Sequence, residues 1–135
     1  MPALTLRRLL IIATVALALP AATACDSYKD DVAAVQAAES IVPGKSNDAL
    51  ARELAGARGG IKWEGAKAER YNNAEIVLVT ANIDRVGQSG TAHKIALEFI
   101  NNRETRKVAF EQAFIDGKPQ SLLGGALTLF LLQLD

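Results

Sequence analysis

His93 is the only histidine in the chain, and Ser89 and Asp84 lie four and nine residues before it. A nucleophile, a base and a carboxylate this close together suggest acyl transfer by a triad. That chemistry needs three side chains converging on one substrate atom beside an oxyanion hole. Members of a single hairpin rarely converge in that way, and Gly87-Gln88-Ser89-Gly90-Thr91 lacks the last glycine of a nucleophile elbow. An exposed histidine at a strand end is the expectation. Glu64, Glu69, Glu98 and Glu111 could pair as acid and base, but Lys62, Lys67, Lys94 and Lys107 are interspersed with them. That pattern favours charge pairing across strands on a solvated face. One histidine and one cysteine are too few ligands for zinc. Asp26, Asp30 and Asp31 offer at most weak cation contacts, and Asp30-Asp31 suit the positive end of a helix. Gly56, Gly59 and Gly60 follow a helix and lack the Gly-Lys-Ser/Thr ending of a phosphate loop. Trp63, Tyr71, Phe99, Phe110 and Phe114 read as core rather than as a base-stacking platform. The expectation is therefore no catalytic residue, no metal and no cofactor.

The remaining reactive side chain is Cys25, the only cysteine, and its setting points to export. Arg7 and Arg8 precede an uninterrupted apolar run, Leu9 to Leu19. The run fits the hydrophobic stretch of a secretory signal and falls short of the roughly 20 residues that span a bilayer. Pro20 breaks any helix, and Ala22-Thr23-Ala24 offers the small residues a signal peptidase requires. Cys25 follows directly. The junction resembles the lipobox of bacterial lipoproteins, with Ala22 where that motif usually has Leu. The resemblance implies a cysteine that carries acyl chains and becomes the first residue. Two or more chains make attachment effectively permanent. Asp26 leans towards inner-membrane retention under the enteric sorting rule. Ordinary cleavage to a soluble periplasmic or secreted protein, and an uncleaved anchor, are the alternatives. Leu6 stands where a twin-arginine signal wants Ser or Thr, so the Sec route is favoured.

Residues 1–24 read as signal peptide, 25–31 as lipidated cysteine and short tether, and 32–135 as one domain of a size that needs no staple. Lys plus Arg and Asp plus Glu both number 15, and the signal peptide carries two of the arginines and no acid. The remainder is slightly acidic, so nothing favours nucleic acid, which requires clustered cations.

Residues 31–42 (DVAAVQAAESIV) have helical spacing and end at Pro43-Gly44. Ser46 or Asn47 caps a second helix through Ala57, with Leu50 and Leu54 on one face. Ile61 to Arg70 alternates weakly around Trp63, as an edge strand would. Ile76 to Ile83 is β-branched and apolar on both faces, the pattern of a central strand. His93 to Asn101 follows a Gly87–Gly90 hairpin. Arg106 to Ile115 then sets Val108, Phe110, Gln112 and Phe114 on one side, and Asp116-Gly117-Lys118-Pro119 turns and stops the strand. In residues 121–134, Leu122, Ala126, Leu129 and Phe130 make one helical stripe, and Leu123, Leu127, Leu131 and Leu134 make a second. The second stripe either packs within the domain or docks another protein. A strand is the alternative, since Gly124-Gly125 weakens a helix.

Pro43-Gly44, Ser46 opening a helix, Leu50 and Leu54 within it, Gly56 after it and Trp63 opening the sheet resemble a known group. These are the small α+β lipoproteins of the SmpA/OmlA (BamE) type and the related β-lactamase-inhibitor-like repeat, matched over roughly residues 41–115. The resemblance implies an envelope scaffold or binding module without catalysis. The fold expected is α+β: two N-terminal helices, a four-stranded antiparallel meander and an apolar C-terminal helix packed on the sheet. The function expected is that of a non-enzymatic envelope lipoprotein. It would be held on the membrane by lipid on Cys25 and contact another envelope protein through Trp63 or through Leu123, Leu127, Leu131 and Leu134. The alternative is a periplasmic or secreted inhibitor or small-ligand binder, using a sheet surface around Trp63 and Phe110.

Overall fold

The computed structural model describes residues 27–121. Two short helices, α1 (Lys29–Ala37) and α2 (Asn47–Ala55), precede five strands: β1 (Gly60–Lys67), β2 (Ile76–Val86), β3 (Ala92–Asn102), β4 (Lys107–Ile115) and β5 (Lys118–Gln120). The strands form one antiparallel sheet in chain order. Among the described residues no helix is long and apolar enough to cross a membrane.

Both helices lie on one face of the sheet, because only that face is apolar at alternate positions of the long strands. Val77, Val79, Ala81 and Ile83 of β2 and Ile95, Leu97 and Phe99 of β3 are fully buried there, under Val35 of α1 and Leu50, Ala51 and Leu54 of α2. Ser46 caps α2, its hydroxyl accepting from the Ala49 N–H at 3.1 Å. Asn47 is buried and donates from Nδ2 to the Val35 carbonyl at 2.8 Å, which ties the two helices together. Gly65 lets α1 approach β1, since a Cβ there would collide with the Tyr28 side chain.

The structure corrects the expected α+β architecture of four strands and a C-terminal helix. Among the described residues the sheet has five strands, there are two short helices, and there is no C-terminal helix. Leu123, Leu127, Leu131 and Leu134 lie outside those residues. The fifth strand arises from Asp116-Gly117. Both residues have positive φ, 51° and 80°, the backbone of a tight two-residue hairpin, so the chain reverses and pairs again. Pro119 does not stop it, because β5 is an edge strand and needs no donor on its open side. Helix α1 also starts earlier and ends sooner than its helical spacing suggests; the chain after Ala37 forms a Glu39–Ser46 bridge.

A second difference concerns β4. The β3–β4 register shifts at Glu98/Phe99, so Phe99 faces Phe110 while Glu98 faces Gln112. The extra residue, Glu111, is a β-bulge. Val108 and Phe110 therefore turn towards the helices, Ala113 and Ile115 are buried on the same side, and Gln112 and Phe114 point to the opposite face.

Gly65→Ala should lower unfolding free energy by about 1–2 kcal/mol through the forced shift of Tyr28. Gly60→Ala, where a Cβ meets nothing, should stay within about 0.5 kcal/mol of wild type. Urea unfolding midpoints of the two variants check the contrast.

Candidate functional site

The residues with chemical potential fall into four separate groups. His93 starts β3, and its Nδ1 donates to Asp116 Oδ2 at 2.7 Å across the sheet end. The other carboxylate oxygen accepts the Lys94 backbone N–H at 2.9 Å. These two bonds, the histidine's first, hold the Asp116 carboxyl below its ordinary pKa. The first of them also fixes the orientation of the imidazole ring. The carboxylate expected beside it, Asp84, instead sits opposite Lys94 on β2, and the Ser89 hydroxyl is hydrogen-bonded to that of Thr91 at 3.0 Å. The carboxylate and the histidine that do meet come from a turn and a strand 23 residues apart.

On the face away from the helices, the Arg70 guanidinium lies 3.8 Å from Glu98 and 3.6 Å from Glu111, and the Tyr71 hydroxyl donates to Glu111 at 2.6 Å. The bond to Glu111 raises the Tyr71 pKa above its usual value. The bulge places Glu111 beside Glu98, so two glutamates named from sequence do come together. Arg70 engages both and Tyr71 engages Glu111, while Glu64 is elsewhere, 3.0 Å from Lys62. Along the same face runs a shallow hollow of about 650 Å³, lined by Lys62, Glu64, Asn82, Asp84, Lys94 and Phe114 among others.

The third group is buried. Asp31 of α1 is 3% exposed and accepts from Asn101 Nδ2 at 2.8 Å and from Arg103 through Nε at 3.0 Å and Nη2 at 2.7 Å. Arg103 also donates to the Ser27 carbonyl at 3.2 Å and lies over the Tyr28 ring. The forked bond from Arg103 lowers the Asp31 pKa despite burial, which opposes it, and raises that of Arg103. Asp31 thus joins the start of α1 to the β3–β4 hairpin. Sequence reasoning missed this link: an acidic residue in the first turn of a helix looks like a surface partner of the macrodipole.

Trp63 is half-buried on the helix-facing side of β1, its ring centroid 6.1 Å from that of Phe99, which meets Phe110 edge-on at 5.5 Å. Trp63 and Phe110 thus flank Phe99 on the helix-facing side of the sheet, both partly buried against the core. Trp63 retains one open side, on a groove of about 690 Å³ between α1 and β1 with Tyr28, Val32 and Ala33 on its wall. Among the described residues, no three His, Cys, Asp or Glu side chains gather as metal ligands would. Comparison with family models, with curated proteins and with solved structures finds no match to this chain.

Asp31→Asn should lower stability at neutral pH by about 2–4 kcal/mol, because the amide removes the charge that pairs with Arg103 and replaces one of the two acceptor oxygens by an NH2 donor facing other donors. The folded-state pKa of Asp31 is lowered, so its contribution is complete above about pH 4 and fades as pH falls through the lowered value. The stability gap between wild type and Asp31→Asn should consequently narrow on acidification. Denaturant titrations from pH 7 to pH 2 measure it, and a gap constant with pH would contradict the assignment.

Proposed function

We propose that the protein is an exported, lipid-anchored binding module that holds another envelope protein against the membrane without catalysing a reaction. The observation that carries this reading is the junction itself: Arg7-Arg8, the apolar run to Leu19, small residues at 22–24, then the lone Cys25. Arg103 already grips the Ser27 carbonyl and α1 begins at Lys29, so a lipid on Cys25 would hold the body close to the bilayer.

The contact surface is the sheet face turned away from α1 and α2. It mixes Lys62, Glu64, Asp84 and Lys94 with Asn82, Ala96 and Phe114 around an open hollow, an arrangement suited to a broad protein contact.

Metabolic labelling with a fatty-acid analogue should mark the wild-type chain and not Cys25→Ser, which should move to the soluble fraction. An unlabelled wild type would refute the anchor. A photo-crosslinking residue at Lys94 should trap one discrete partner in cells. The same residue at Arg58, in the loop after α2, should not, and a trap of equal yield at both positions would refute the surface.

A further inference from the structure

The two edges of the sheet are unlike. β5 is three residues long and carries Pro119, which cannot donate to a further strand. β1 is eight residues long, contains no proline and pairs with β2 without a register shift. It ends the sheet, so its outer backbone groups meet no further strand among the described residues. An edge this long and regular is a template for another strand.

We propose that β1 pairs antiparallel with β1 of a second copy of this chain, about a two-fold axis through Trp63. The side chains select both the occupant and the register. A two-fold perpendicular to the sheet keeps the helices of both copies on one side, and it can pass only through a residue, because facing residues must share a side of the sheet. Centred on Lys62 it sets lysine against lysine, and centred on Glu64 it sets glutamate against glutamate. Centred on Trp63 it sets Lys62 of each copy directly opposite Glu64 of the other, so two complementary pairs form at once. Both side chains are free to do this, being 77% and 49% exposed and, among the described residues, joined only to each other and to Asn82. On the helix side the same axis brings the two Trp63 rings together at the open groove beside Tyr28 and Val32, and Ile61 of one copy meets Gly65 of the other. Charge outside and aromatic surface inside thus agree on one register. The proposal does not depend on the lipid anchor.

The test uses full-length chains. Lys62→Cys and Glu64→Cys chains, co-expressed and oxidised, should form a mixed disulfide, since directly opposed Cβ atoms lie about 4.5–5.5 Å apart. Either variant alone should stay at the wild-type background set by Cys25, because its two introduced cysteines are diagonal and about 7–8 Å apart. In sedimentation of the purified chain in mild detergent, Lys62→Glu should weaken the dimer on the order of tenfold. The double exchange Lys62→Glu with Glu64→Lys should restore it. All these positions are exposed, and circular dichroism verifies that each variant folds. A wild type that is monomeric at about 100 μM would overturn the proposal. So would a Lys62→Cys chain that crosslinks equally well alone, or a double exchange that recovers nothing.

Discussion

The fold rests on one alternation. Val77, Val79, Ala81 and Ile83 on β2 and Ile95, Leu97 and Phe99 on β3 place every second side chain under the helices, and the β2–β3 register holds them opposite one another over the whole length of both strands. A slip of one residue would bring Thr80, Asn82 and Glu98 into the core and turn the apolar set to solvent, so the register is fixed by burial. Everything else is attached to this pair. β1 adds Ile61 and Trp63 to the same layer, β4 adds Val108, Phe110, Ala113 and Ile115, and α1 and α2 close it with Val35, Leu50 and Leu54.

The bulge at Glu111 follows from the same demand. β4 must present Phe110 against Phe99 and Ile115 against Ile95, which strict alternation cannot do across six residues that begin and end on the buried side. One extra residue resolves the conflict and leaves Glu111 and Gln112 on the outer side, where Arg70 and Tyr71 receive Glu111. The Asp31 cluster plays the corresponding role at the other end of the molecule. It uses a charge, a guanidinium and an amide to lock the first helix onto the β3–β4 hairpin, and it draws in Ser27, only two residues after Cys25.

The elements with strong local signals were legible in the sequence. Ser46 as a cap, Leu50 and Leu54 as one helix face, and the alternation of Ile95, Leu97 and Phe99 all hold in the structure. Three features were read otherwise, each for a physical reason. Pro119 looks like a strand terminator unless the strand is known to be an edge. Asp116-Gly117 looks like an ending unless its two positive φ angles are seen to reverse the chain. Consecutive Glu111-Gln112 in an otherwise alternating strand was a bulge signal that could have been recognised. The partnerships His93–Asp116 and Asp31–Arg103 span 23 and 72 residues, and no local pattern announces them.

The function proposed for this helix-covered sheet rests on the sulfur of Cys25 as its attachment point. Intact-mass spectrometry of the chain isolated from its own membranes addresses that claim most directly. The account predicts a polypeptide beginning at Cys25 with the added mass of acyl chains on that residue. A chain beginning at Cys25 with an unmodified thiol, or one retaining residues 1–24, would contradict it.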